Sequence, residues 1–200
     1  GWKLALVIQE KASPKLLKTY NEERLPFAIQ LVNTTDTAFE SIISTNPIIR
    51  FFRLNILPTG LRFATFFEGT RKLAFETVSQ TAVNYRTYTL SRNSNDSSFS
   101  SKTPQAGDRF PYFPTKEGTT FDWLKGTAFQ VLYFYTKEDP NAIERLSQYF
   151  DLSKLELNLH LIAKSKDSAI FDQLGINDQG LFIIRPDMYI GYRSGIVDLA

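Results

Sequence analysis

Phe129-Gln130-Val131-Leu132-Tyr133-Phe134-Tyr135 is a short run, rich in aromatic residues and free of charge. Such a run reads as a buried strand rather than a helix. Working outward, Pro140 through Phe150 places Ile143, Leu146, Tyr149 and Phe150 on one side of a helix. Leu155-Glu156-Leu157-Asn158-Leu159-His160-Leu161-Ile162 alternates as a half-buried strand does, with His160 on the face opposite the leucines. Ser168 to Leu174 predicts a short helix that Gly175 stops. Leu181-Phe182-Ile183-Ile184 and Met188-Tyr189-Ile190-Gly191-Tyr192 close the pattern as two strands around Arg185-Pro186-Asp187. The order β, α, β, α, β, β predicts an α/β fold with a mixed sheet, in which crossover helices join the early strands and a tight turn joins the last two.

The first half reads as helical. Gly1 to Ile8 has the pattern of a helix interior with nothing before it to feed the helix, so the chain reads as beginning inside a longer protein. Ser13 with Pro14 marks a helix start, and Leu16, Leu17, Tyr20 and Arg24 fall near one face. Pro26 is expected to break or restart that helix, and a second one runs to about Ser44. From Pro47 to Thr81 apolar clusters (Phe51, Phe52, Phe63, Phe66, Phe67, then Leu73, Phe75, Val78) are too dense for solvated helices. They either bury against the rest of this chain or cover a surface from another domain. Ser91 to Ser101 is serine-rich and reads as a linker. The boundaries are thus a helical segment 1–90, a linker 91–106 and an α/β domain 107–200.

Composition narrows the function. The 23 basic and 21 acidic side chains leave a net charge of only +2, which gives no field for nucleic acid or an anionic bilayer. No run approaches the roughly 18 to 20 apolar residues of a membrane span, so the expected location is the cytoplasm. The absence of cysteine removes disulfides, thiolate nucleophiles and redox dithiols. No G-x-G-x-x-G or Walker loop occurs, so no phosphate cradle is expected.

Several motifs together resemble the C-terminal part of flavin-dependent aromatic-ring hydroxylases. They are Trp2-Lys3-Leu4-Ala5; Leu16-Leu17 with Tyr20, Glu23, Arg24 and Pro26; Asn84-Tyr85-Arg86, more loosely; Gly107-Asp108-Arg109-Phe110-Pro111; Gly118 to Leu124; Leu174-Gly175-Ile176; and Arg185-Pro186-Asp187-Met188-Tyr189-Ile190-Gly191-Tyr192-Arg193. In the last, Met188 stands where the family usually has glycine, which leaves the turn type open. The resemblance implies a helical tail of an FAD domain followed by a thioredoxin-like domain. It also implies a whole enzyme that binds FAD upstream, reduces it with NADH or NADPH, and uses O₂ to hydroxylate an aromatic ring. Gly107 to Phe113 is also similar to the lead-in of peroxiredoxins, whose chemistry needs a thiolate that this chain lacks.

No catalytic, cofactor-binding or metal-binding residue is assigned. Tyr20, Glu23, Arg24, Arg185, Pro186, Asp187 and Arg193 are expected to be structural, with Arg185, Asp187 and Arg193 pinning a hairpin or holding an anion. His160, the sole histidine, is read as a solvated or hydrogen-bonded strand residue before a general base. The phenylalanine cluster is read as core before substrate pocket. The expected partners are the upstream FAD domain of the same polypeptide and a second copy of the chain. The rival readings are an independent redox-inactive thioredoxin-like scaffold, and an enzyme using Asp108, Glu117 and Asp122, whose spacing specifies no reaction.

Overall fold

The uncharged run Phe129–Tyr135 is an interior strand of a sheet with both of its faces covered, as its lack of polar alternation requires. The computed structural model describes residues 1–71, 83–94, 96–152 and 155–197. The described elements, in chain order, are α1 (Trp2–Ile8), α2 (Leu16–Ile43), α3 (Pro47–Phe51) and α4 (Leu57–Ala64), then β1 (Arg92–Asn93), β2 (Pro114–Thr115), β3 (Gly118–Thr119) and β4 (Phe129–Tyr135). They continue with α5 (Pro140–Leu152), β5 (Leu157–Ala163), α6 (Ser168–Leu174), β6 (Gln179–Ile184) and β7 (Ile190–Ser194). The chain divides into two compact bodies, Gly1–Tyr20 with Asn84–Ala200, and Asn21–Val83.

The first body holds a five-stranded sheet in the order β1-β7-β6-β4-β5. Strands β4 and β5 are parallel, joined by α5, while β6 lies antiparallel to β4 and β7 antiparallel to β6. The expected α/β order and mixed sheet are thus observed, with β1 added at one edge. One face packs Leu132, Phe134, Ile162, Phe182 and Ile184 against Ile170, Phe171 and Leu174 of α6. The other packs Val131, Tyr133 and Leu181 against Ala142 and Leu146 of α5. Burying a side chain of this size contributes about 1.5 to 3 kcal/mol.

The serine-rich stretch lies against this sheet rather than free of it. Its few apolar and charged groups suffice: Phe99 rests 5.5 Å from Phe182, and Ser100 N–H donates to Gly175 C=O at 2.9 Å. Arg193, buried on β7, donates to the carbonyls of Thr103 and Pro104 and to Asp96 at 2.6 Å. One guanidinium therefore ties three points of the segment to the last strand. Gly175, at φ +73°, is the left-handed stop of α6, as its position after Leu174 predicts.

In the second body, helix α2 runs unbroken through Pro26, contrary to the expected break. A proline removes only its own N–H and crowds one preceding turn, so the hydrogen bonds on either side can carry the helix across. Asn46 caps α3 by accepting from Ile48 N–H at 2.9 Å. A π-helical turn over Phe52–Ile56 joins α3 to α4. Arg53 closes the C-terminal end of α2 by donating to the carbonyls of Ser41 and Ile42. The expectation that the phenylalanines form core fails here: Phe51, Phe52, Phe63, Phe66 and Phe67 are all at least half exposed. Two short helices and one long one give these side chains too little to pack against. Leu73, Phe75 and Val78 lie outside the described residues.

Candidate functional site

Four motifs far apart in sequence meet around the buried guanidinium of Arg185. The β6–β7 hairpin supplies Arg185-Pro186-Asp187-Met188, with Met188 N–H donating to Arg185 C=O at 2.9 Å and Arg185 N–H to Tyr189 C=O at 2.8 Å. The Arg185 side chain folds back on its own turn, donating from Nε to Asp187 Oδ1 at 3.0 Å and from a terminal nitrogen to Oδ2 at 2.7 Å. This fork pins the turn by charge-assisted hydrogen bonds. Its planar cation lies over three aromatic rings, Trp2 at 5.2 Å, Tyr85 at 5.6 Å and Tyr189 at 5.8 Å.

Helix α1 reaches this centre through Trp2, whose indole N–H donates to Asp187 Oδ2 at 2.8 Å and whose ring meets Phe129 edge-on at 5.4 Å. One turn of chemistry further, buried Lys3 donates from Nζ to Thr19 Oγ1 at 2.9 Å, which holds α1 to the start of α2. Burial opposes ionisation of Asp187, but the hydrogen bond and charge of Arg185, helped by Trp2 and the Tyr189 N–H, outweigh it. Its carboxyl is held below the usual range.

The third side is a backbone clasp. Tyr85 N–H donates to Gly107 C=O, Gly107 N–H donates to Ile190 C=O, each at 2.7 Å, and Ile190 N–H donates to Asp108 C=O at 2.9 Å. Gly107 has φ +92°, and a Cβ there would lie 2.3 Å from the Tyr85–Arg86 backbone. Only glycine fits that crossing. Asp108 then accepts both nitrogens of the Arg86 fork at 2.6 and 2.9 Å, together with Gln105 N–H.

At this centre the Asp187 carboxylate accepts from Arg185 and Trp2, and the Arg185 cation is stacked and paired. Its chemistry is attachment of α1, residues 84–86 and 107–108 to the last hairpin. Of the residues singled out from sequence, it gathers Arg185, Pro186 and Asp187. Arg193 serves residues 96–104 instead, Tyr20 and Arg24 are exposed, and Glu23 is buried. Trp2, Tyr85 and Gly107 carried no assigned role in sequence, although each lies in a motif quoted above.

The other candidates are absorbed by local structure. Asp122 closes a capping box with Thr119 and pairs with Lys125 at 2.7 Å, which, with the Thr119 bonds, lowers its carboxyl to about 2. Glu117 is exposed at the β2–β3 turn. His160 Nε2 lies 2.8 Å from Gln130 Oε1, and burial lowers its imidazole below the ordinary value. Since Gln130 Nε2 donates to the carbonyls of Lys125 and Ala128, its oxygen is the acceptor and His160 donates. It is therefore the hydrogen-bonded strand histidine. The leucine face is less regular than the alternation predicts: Leu157 and Leu159 are half-buried against the α5 side, but Leu161 is exposed, because β5 is the last strand of the sheet. After β4, Thr136 donates to Asp178 C=O and Asp139 caps α5 through Asn141 and Ala142 N–H.

Comparison with known proteins places these motifs. Residues 1–35 match the FAD binding domain family. The chain is 34% identical over 111 residues to pentachlorophenol 4-monooxygenase of Sphingobium chlorophenolicum, covering 56% of this chain and 18% of that protein. It is 64% identical over 31 residues to 2,4-dichlorophenol 6-monooxygenase of Delftia acidovorans, 16% of this chain and 5% of the relative. The chain is related to the FAD-dependent aromatic-ring hydroxylases. Among solved folds it is similar to the rebeccamycin biosynthetic enzyme RebC (TM-score 0.63, 20% identity, 98% of this chain and 36% of that one). It is also similar to aklavinone-11 hydroxylase, solved with FAD and aklavinone (TM-score 0.61, 19% identity, 99% and 35%). The chain thus spans less than half the length of each of these four proteins.

The glycines give a test of whether described residues of this chain can cradle a flavin dinucleotide. Gly107 and Gly175 are packed against backbone and side chains, and Gly118 against Asp122. Gly126 faces open space at φ +99° within a turn after Lys125. None of them forms a loop of amides at a helix N-terminus, so these residues do not fit the pyrophosphate of FAD. Among the described residues no cluster suits a metal ion, and no helix is long and apolar enough to cross a membrane.

Proposed function

We propose that this chain is the C-terminal part of an FAD-dependent monooxygenase that hydroxylates aromatic substrates, and that it serves structure and assembly rather than chemistry. Residues 1–90 are the helical tail of its FAD and substrate domain, residues 107–200 a thioredoxin-like domain without redox function, and 91–106 the segment between them. The strand order β7-β6-β4-β5, with only β4 and β5 parallel, supports the thioredoxin-like reading. In the whole enzyme FAD supplies the oxygen chemistry, with NADH or NADPH as reductant and O₂ as oxidant. The upstream FAD domain of the same polypeptide is the first partner, and the cytoplasm the location. The names of the relatives point to phenolic or polycyclic aromatic substrates.

The observation that carries this reading is the Trp2–Asp187–Arg185 contact, which fastens the stretch matched by the FAD binding domain family, residues 1–35, to the last hairpin of the sheet. The exposed phenylalanines of α3 and α4 support it further, as a surface suited to an apolar face of the preceding domain. The test is to translate the coding DNA before the Gly1 codon and to titrate the purified chain with FAD. An in-frame G-x-G-x-x-G and a later Gly-Asp motif, with flavin fluorescence unchanged by the chain alone, are expected. Tight flavin binding by these residues alone, or a start codon at Gly1, overturns the reading.

A further inference from the structure

A cavity of about 460 Å³ lies beside the C-terminal end of β5, walled by Lys116, Trp123, Leu161, Ala163, Lys166 and Asp167. Its walls are fixed by hydrogen bonds. Buried Thr120 donates through Oγ1 to Pro111 C=O at 2.7 Å and accepts from Phe113 N–H at 3.0 Å, which sets the base of the β2–β3 hairpin. The hairpin then reaches the start of α6, where Lys116 N–H donates to Asp167 Oδ2 at 3.0 Å. The chain leaving β5 turns back on itself, with Lys166 and Asp167 N–H donating to Ala163 C=O at 3.0 and 3.4 Å. A space whose walls are already held in this way demands little ordering of whatever enters it.

Three kinds of group face this space. Trp123 meets Phe134 edge-on at 6.2 Å and is only half-buried, and Leu161 is 42% exposed, so an indole and an aliphatic side chain both offer apolar surface to the cavity. The backbone supplies a donor. Phe129 N–H donates to Glu156 C=O and Lys164 N–H donates to Tyr135 C=O, so even-numbered residues of β5 turn their backbone toward β4 and Ala163 turns its N–H away from it. That N–H has no acceptor among the described residues, although Ala163 is 7% exposed. A buried amide without an acceptor is uncommon. At the rim Lys116 and Lys166 are exposed, and neither pairs with a carboxylate among the described residues. Of the two acids there, Asp167 is engaged by Lys116 N–H and Glu117 is turned to solvent.

We infer that this cavity binds an aromatic carboxylate. The ring lies against the Trp123 indole and the Leu161 side chain, the carboxylate accepts from Ala163 N–H, and the ammonium groups of Lys116 and Lys166 balance its charge. A hydrogen bond from a backbone N–H to an ionised acceptor is roughly twice as strong as one between neutral groups. An aromatic amine meets no available acid, because Asp167 is engaged and Glu117 solvated, and an uncharged ring forfeits both lysines. The volume suits a ligand of one or two rings, at the lower end of the roughly 300 to 1,000 Å³ of small-molecule sites. Every group involved belongs to the α/β body, so the site requires neither flavin nor a preceding domain.

The test titrates the isotope-labelled full chain with cinnamate and follows its amide and indole signals by NMR. Trp2 and Trp123 are the only indoles, and Trp123→Phe assigns them. Cinnamate is expected to shift the Trp123 indole and Ala163 amide signals saturably, with a Kd of about 1 mM, while the Trp2 indole stays in place. Exchanging both lysines, Lys116→Gln with Lys166→Gln, is expected to weaken binding about fivefold or more. Cinnamamide, the same ring without the charge, is expected to bind the unaltered chain about tenfold more weakly than the acid. Both lysines are exposed, so the variant keeps its core, and the amide comparison needs no variant. Absence of a saturable shift up to about 10 mM, equal movement of the two indoles, affinity indifferent to the lysine exchange, or equal binding of acid and amide overturns the inference.

Discussion

The indole N–H of Trp2 donates to the carboxylate of Asp187 at 2.8 Å, across 185 residues of chain. The same ring stacks on the Arg185 cation and meets Phe129, so two different contributions can be separated by mutation. Trp2→Phe keeps much of the apolar contact and loses only the donor. A hydrogen bond to a charged acceptor contributes about 1.5 to 3 kcal/mol, and the partial exposure of this one places the expected loss near the lower end. Trp2→Ala, which also empties the stack, is expected to cost about 3 kcal/mol or more. Urea midpoints at unchanged slope measure both, and equal losses in the two variants would show that the indole donor contributes nothing of its own.

Acid should loosen the same contact. The folded-state carboxyl of Asp187 lies below its unfolded value of about 3.9, so its stabilisation is fully present above that pH and is lost as pH falls through the folded value. Asp122, lowered to about 2, titrates in the same window, so wild type must be compared with Asp187→Asn at each pH. The variant is expected to be less stable at neutral pH and to show a shallower decline below roughly pH 4. Parallel curves for the two proteins would mean that Asp187 does not carry the slope.

Met188 has φ +68° and closes the Arg185 turn. A left-handed backbone costs an ordinary side chain about 1 to 2 kcal/mol, which is the physical reason a glycine suits this position. Met188 recovers part of that by packing on the core and receiving a long contact from Arg109 at 3.6 Å. Met188→Gly is therefore expected to be nearly neutral, within about 1 kcal/mol. Met188→Val, β-branched at positive φ and too short for the same packing, is expected to cost at least about 2 kcal/mol. Thermal melts of the two variants check this, and a Val variant as stable as the Gly variant would remove backbone strain from the explanation.

The sheet was legible because its strands and helices differ in period and because Gly175 and the Arg185 turn punctuate them. The continuity of α2 through Pro26 was not, since local proline chemistry sets a cost and cannot say whether the flanking turns meet it. Nor was the place of residues 91–104: serine-rich composition hides the fact that Phe99, Asp96 and two carbonyls meet a single arginine 90 residues away. The site itself was half legible. Arg185 and Asp187 could be paired from their spacing, but the approach of Trp2, Tyr85 and Gly107 depends on contacts between segments remote in sequence, and periodicity contains no such information. The exposed phenylalanines mark the opposite limit, where apolar composition predicts burial but not by which surface.

His160 offers the cleanest titration because it is the only histidine. Burial lowers its folded-state value below the ordinary 6.5 while the imidazole donates to Gln130. The sign follows directly: above about 6.5 the ring is neutral in both folded and unfolded chains, and as pH falls through the folded value the unfolded chain has already taken up its proton, so stability declines. The single imidazole signal in a proton NMR titration is expected to have its midpoint below 6.5. His160→Gln, which retains a donor for Gln130 but does not titrate, should remove that part of the stability decline. A midpoint at or above 6.5 would mean that solvent or a nearby carboxylate, rather than the half-buried strand edge, sets the charge of this residue.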